Sequence, residues 1–332
     1  FLAGPALADE VAQKSKPGAE LADEAPRGRL GDLATPLTYD LDLTLDPRAD
    51  SFFGSVTIEV ALARPAKVIW LHGLKLEVSS VQAITGSGAK ASGAYEQVLP
   101  SGVSALRFAD ELPAGRHRLR LEYSAAYDLN LTGLFKVTEQ GDPYVLAKSE
   151  SIQARRYLPS FDEPGFKAIF NFRLTIPEEF QAITNSPETS RRSVGNGLVA
   201  LEFAPTSPLP TYLLSLAVGP FDLVERPPLP ANKWREHAIP LRGFTRRSRG
   251  RDMSYILDVT PALVEIFERE LKQPYPFAKL DIVAAPQLPS GATELSAAIT
   301  YREQRILVGD SPAPGARLSL MNVHAHELAH MW

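Results

Sequence analysis

The clearest chemistry in the 332-residue chain lies near its end, where His326-Glu327-Leu328-Ala329-His330 forms an H-E-x-x-H pattern. On a helix, positions i and i+4 differ by about 40° in azimuth and about 6 Å along the axis. Two imidazoles so placed can reach one zinc ion, and neutral imidazole suits that borderline metal. The glutamate between them can hold a water and take its proton. Zinc brings the pKa of a coordinated water to about 7, which makes a nucleophile for peptide hydrolysis. His324 lies about 200° away around the same helix, so it reads as a packed or solvated side chain and not as a ligand.

A helix over 316–332 must carry this motif, and other elements must hold that helix. Residues 252–271 place Ile256, Val259, Leu263, Ile266, Phe267 and Leu271 at helical spacing, with Pro261 as a point of kinking or initiation. Leu280-Asp281-Ile282-Val283-Ala284-Ala285 reads as a buried strand, and a short strand is expected at about 238–245. Upstream the pattern is different. Residues 37–45 and 55–62 alternate apolar and polar side chains, as half-buried strands do. Further strands are expected at 67–71, 77–84, 104–108, 117–123, 143–147, 168–176, 181–185, 198–203 and 211–219. Short strands separated by Gly, Pro and Asp turns predict a β-sandwich or saddle. Pro227-Pro228-Leu229-Pro230 is the expected linker. The chain therefore reads as mainly β: a leader over 1–35, a β-saddle domain over 36–226, and the start of an α/β catalytic domain over 227–332.

Composition narrows the function. Lys and Arg number 35 against 39 Asp and Glu, a net charge of −4 that argues against a nucleic-acid partner, which needs a basic face. With no cysteine there is no thiol nucleophile, disulfide frame or cysteine-held zinc. No run of 18 apolar residues is present, so no membrane-spanning helix is expected.

The motif and its lead-in resemble the zinc aminopeptidases of the aminopeptidase N type. Further segments match in the same order. Ala154-Arg155-Arg156-Tyr157-Leu158-Pro159-Ser160-Phe161-Asp162-Glu163-Pro164 is similar to the family's ARRxFPxFDEP stretch. Thr211-Tyr212-Leu213 through Ala217-Val218-Gly219 resembles its STYLxxxAVG strand, Tyr275 to Asp281 its YPxxKLD segment, and Ile299-Thr300-Tyr301-Arg302-Glu303 its ITYRE strand. The resemblance covers residues 36–332 and implies a β-saddle followed by a thermolysin-like domain, one Zn²⁺ held by His326 and His330, and Glu327 as the catalytic base. The family's G-A-M-E-N exopeptidase motif reads Gly291-Ala292-Thr293-Glu294-Leu295 here. An aminopeptidase must bind a free α-ammonium, which a carboxylate does through a charge-assisted hydrogen bond. By resemblance that role falls to Glu294, with Gly291 and Ala292 lining the backbone side. A second amine anchor, Glu150, occupies the glutamate of the family's TQxE segment, which reads Ala147-Lys148-Ser149-Glu150. Lys148 stands where the family has glutamine. It must either turn to solvent or give the first subsite a different shape.

Arg155, Arg156, Asp162 and Glu163 read as a structural ion-pair set, because arginine and carboxylate pairs commonly pin loops. Trp70 and Trp234 read as packing. The resemblance puts a third zinc ligand and an oxyanion-stabilising tyrosine beyond Trp332. The chain is thus expected to be the N-terminal part of a longer enzyme and inactive alone. The expected substrates are peptides with a free N-terminus. Phe1 to Ala8, with Ala6-Leu7-Ala8 as an A-x-A cleavage site, resembles the end of a signal peptide, so a periplasmic or secreted protein is expected. The alternative is a non-catalytic β-rich scaffold or binding relative, against which the intact His326-Glu327-His330 set argues.

Overall fold

The structure, a computed structural model, describes residues 24–309 and 311–332. The expected leader falls largely outside them. Among the described residues no helix is long and apolar enough to cross a membrane.

Alternation builds the N-terminal part as expected. Strand Ala34–Thr44 turns Tyr39, Leu41 and Leu43 inward, and its neighbour Ser51–Leu62 turns Val56, Ile58 and Val60 inward. The two run antiparallel inside a ten-stranded sheet, and Ala34–Thr44 also pairs in parallel with Ile169–Pro177. One large core unites the buried face of this sheet with residues such as Leu134, Val145, Leu216 and Val218.

Two smaller sheets follow. A four-stranded sheet contains Gly133–Glu139, Asp142–Lys148, Gln181–Thr184 and Leu216–Gly219. A five-stranded sheet contains Phe221–Leu229, Ile239–Arg246, Leu280–Ala285, Ala298–Arg302 and the short edge Ala292–Thr293. Leu280–Ala285 lies between two parallel neighbours and is buried at every position, which explains its unbroken apolar run. Phe135, Tyr144, Ile183 and Ala217 of the smaller sheet share one core with Phe244, Val283 and Ala298 of the larger. That shared core fixes Lys148 and Glu150 relative to Thr293 and Glu294.

Three local expectations need correction. Pro227, Pro228 and Leu229 are not linker but the end of strand Phe221–Leu229, which occupies a sheet edge where proline's missing N–H costs no ladder bond. Residues 211–219 are not one strand: Thr211–Leu213 is a 3-10 turn and only Leu216–Gly219 is extended. Pro261 neither starts nor ends its helix, which runs from Ser254 to Leu271.

The Arg-Arg and Asp-Glu-Pro stretch is structural, as read from the sequence. Asp162, fully buried, accepts from Arg155 Nε at 2.9 Å and from Thr211 Oγ1 at 2.6 Å. Arg155 also donates to the carbonyls of Ser101 and Asp162. The Asp162 N–H donates to His72 Nδ1 at 3.2 Å. Burial, reinforced by the Arg155 charge, lowers the His72 pKa to about 3. An unfolded histidine titrates near 6.5. His72 therefore stays neutral in the fold while the unfolded chain takes up a proton. Its contribution is fully present above pH ~6.5 and is lost as pH falls toward ~3, by at most about 1.4 kcal/mol per pH unit. Urea midpoints measured from pH 7 to 4 should fall less steeply for His72→Asn than for the wild type. Parallel slopes would contradict this.

Candidate active site

The motif helix Pro314–Ala329 begins with proline, whose missing N–H costs nothing in a first turn. His324 sets its rotation. Its Nδ1 lies 2.7 Å from the Tyr301 hydroxyl and its Nε2 lies 2.9 Å from Thr260 Oγ1. The Thr260 hydroxyl donates to the Ile256 carbonyl at 2.6 Å, so its oxygen accepts from Nε2–H, and Nδ1 accepts from the Tyr301 O–H. Complete burial lowers the His324 pKa to about 3 and keeps the ring neutral. His324 is thus a packed residue and not a ligand.

With His324 turned inward, His326 and His330 face outward and are exposed. Their Nε2 atoms are 3.2 Å apart, and the ring centroids are 4.9 Å apart. Two zinc–nitrogen bonds of ~2.1 Å at a tetrahedral angle need nitrogens about 3.4 Å apart, so this donor pair fits zinc. Among the described residues no group of three or more His, Cys, Asp or Glu side chains is arranged to hold a metal. A catalytic zinc takes three protein ligands, and the described residues bring together two imidazoles at a spacing that suits the metal.

Glu327, between the two histidines in sequence, is only 8% exposed. Burial raises its carboxyl pKa and nearby Glu294 raises it further, while His326, His330 and Lys148 act in the opposite direction. Burial raises the Tyr301 phenol's pKa well above its ordinary value, and the Glu327 charge raises it further.

Glu294 follows the edge strand Ala292–Thr293, which pairs with Ala298–Arg302 through Ala292↔Tyr301 and Thr293↔Thr300. The Gly291 carbonyl accepts from the Arg302 N–H at 3.0 Å. A Cβ at Gly291 would meet only Arg305 Nε, at 3.6 Å, so the chain's own packing leaves that side open. Lys148 does not turn to solvent. It is buried, donates to Thr293 Oγ1 at 3.0 Å and pairs with the Glu150 carboxylate. Two of the departures from the family pattern, Lys148 and Thr293, are thus bonded to each other. Glu150 itself is exposed, and the residue before it, Ser149, makes an Oγ contact with the Tyr157 hydroxyl at 2.8 Å.

Sequence reasoning missed two members of this neighbourhood. The Tyr212 phenol has a raised pKa, first from burial and then from the charges of Glu294 and Glu150. Asn185 donates to the carbonyls of Leu213 and Ser296, both at 2.9 Å, and accepts from the Ser215 N–H at 2.8 Å. It thereby ties the turn that carries Tyr212 to the loop that follows Glu294. Tyr212 stood inside a quoted motif but looked like a strand residue, and nothing local marks Asn185.

Residues 35–213 match the Peptidase M1 N-terminal domain, and residues 255–332 match the Peptidase family M1 domain. Aminopeptidase M1-A of Oryza sativa subsp. japonica is 31% identical over 330 residues, covering 95% of this chain and 36% of that protein. Endoplasmic reticulum aminopeptidase 1 of Mus musculus is 29% identical over 320 residues, 92% of this chain and 33% of that protein. Glutamyl aminopeptidase of the same organism is 29% identical over 316 residues, again 92% and 33%. The chain spans about a third of the length of the curated relatives it matches.

Proposed function

Because the chain belongs to the peptidase M1 family, we propose that the protein is a zinc-dependent aminopeptidase that removes N-terminal residues from peptides. The observation that carries this reading is the convergence of three carboxylates from three separate segments. Lys148 pairs with Glu150 and donates to Thr293, the residue before Glu294, at 3.0 Å; on top of burial, the charge of Glu294 raises the pKa of Glu327, and Glu294 and Glu150 both raise that of Tyr212. An endopeptidase has no ammonium to bind and no use for such a set.

His326 and His330 would hold the zinc, together with a ligand from outside the described residues. When bound, the metal supplies Lewis acidity that makes water a nucleophile near neutral pH. Glu327 orients the attacking water, takes its proton and returns it to the leaving amine. Glu294 holds the substrate's α-ammonium, with Glu150 beside it, and so sets the scissile bond one residue from the N-terminus. Gly291 and Ala292 leave room for the substrate backbone. The activity is assigned to the whole protein and not to these 332 residues alone. The Ala6-Leu7-Ala8 sequence supports a periplasmic or secreted location.

N-acetylation removes the cation that would make charge-assisted hydrogen bonds to Glu294 and Glu150. Acetylated aminoacyl arylamides should therefore be turned over at least about 100-fold less efficiently than free ones, a loss of about 2.7 kcal/mol. Equal kcat/KM for both would overturn the roles given to Glu150 and Glu294.

A further inference from the structure

Lys148 is a built-in ammonium inside a site that is to receive another. Its Nζ is buried, bonded to Thr293 Oγ1 at 3.0 Å and paired with the Glu150 carboxylate. Thr293 is itself held by Ser290 Oγ at 3.2 Å, so the cation has a fixed seat across two sheets. Thr293 immediately precedes Glu294, and Glu150 is the lysine's other partner, so the cation sits between the two carboxylates assigned to the substrate's amine.

Resting on the aminopeptidase reading, we propose that Lys148 is a specificity-determining residue of the first subsite, which favours peptides with an anionic first side chain and disfavours those with a cationic one. The substrate's α-ammonium goes to Glu294 and to the part of Glu150 that Lys148 leaves free. The first Cα is one bond from that ammonium, so the first side chain begins next to Lys148. A lysine or arginine there would bring a further cation against a buried one that already shares its carboxylate. An aspartate or glutamate side chain would instead gain a charge-assisted bond, among the stronger hydrogen bonds a protein makes. The Thr293 hydroxyl is what holds the lysine in this direction, since a methionine at that position would offer no comparable acceptor.

The test uses the full-length protein, its Lys148→Gln variant, and Lys148→Arg, which keeps the charge. Turnover of glutamyl and arginyl arylamides is compared, and binding of L-glutamate α-amide and L-arginine α-amide is followed by calorimetry. The wild type should prefer the glutamyl substrate and bind the glutamate amide more tightly. Lys148→Gln should shift both ratios toward arginine by about tenfold or more, and Lys148→Arg should keep the wild-type order. Wild-type protein that binds the two amides equally would overturn the proposal, with or without folded variants. A Gln variant with unchanged ratios would also overturn it. Failure of the aminopeptidase reading has a different signature, namely free and acetylated arylamides cleaved alike.

Discussion

Replacing Glu327 with glutamine is expected to lower turnover by about 10²–10⁴-fold, the range over which a positioned general base contributes. The side chain is buried, whereas His326 and His330 are exposed. Glutamine has nearly the same shape and no charge, so the helix and its two imidazoles should stay as they are. His324, anchored to Tyr301 and Thr260, continues to fix the rotation of that helix. Metal content should therefore remain near the wild-type value while kcat falls. Elemental analysis beside a turnover assay checks this. Loss of metal in step with activity would make Glu327 a ligand instead of a base.

The largest structural effect is expected at Asp162. Its carboxylate is fully buried and receives Arg155, Thr211 and the Arg155 backbone N–H. Asp162→Ala leaves a buried guanidinium without its counterion, which typically costs about 3–5 kcal/mol. For a unit of this size that corresponds to a fall in Tm of roughly 10 °C. The loss should also reach the site, because Thr211 adjoins Tyr212 and Arg155 lies in the turn after Glu150. Removing both charges in Asp162→Leu with Arg155→Met should cost less than the single change, since no charge is then stranded. Calorimetric scans of the three proteins decide the point. A single variant as stable as the wild type would deny the pair its structural role.

How much of this was legible in the sequence follows from how local each signal is. The H-E-x-x-H pattern needs only helical periodicity, and the helix places its two imidazoles 3.2 Å apart at Nε2. Strands such as Ala34–Thr44 declare themselves because one face is buried and the other is wet. Leu280–Ala285 does so because both faces are buried. Strand Lys90–Gln97 was not visible, because no position in it is fully buried and no apolar alternation results. Strand Glu188–Gly195 was missed for the same reason and lies at the sheet edge. Thr211–Leu213 reads as strand in sequence because its apolar and aromatic residues suit either state, and Thr211 is anchored to Asp162, far away in sequence.

The site divides along the same line. The two histidines and the glutamate proposed as ligands and base sit within one helical turn or so and are readable from their spacing. The direction taken by Lys148 depends on Thr293, 145 residues later, and the staple at Asn185 depends on Ser296, 111 residues later. Such contacts exist only once two sheets share a core. Residue type alone showed that Lys148 posed a problem for an amine site; only the packed arrangement showed that Thr293 and Glu150 give it a fixed partner set.

The central claim, that His326 and His330 form the protein's catalytic metal site beside Glu327, is tested most directly by anomalous diffraction at the zinc edge from crystals of active full-length protein. One peak is predicted, about 2.0–2.1 Å from Nε2 of both His326 and His330. A single peak elsewhere, or none in crystals whose dissolved protein still turns over substrate, would contradict it.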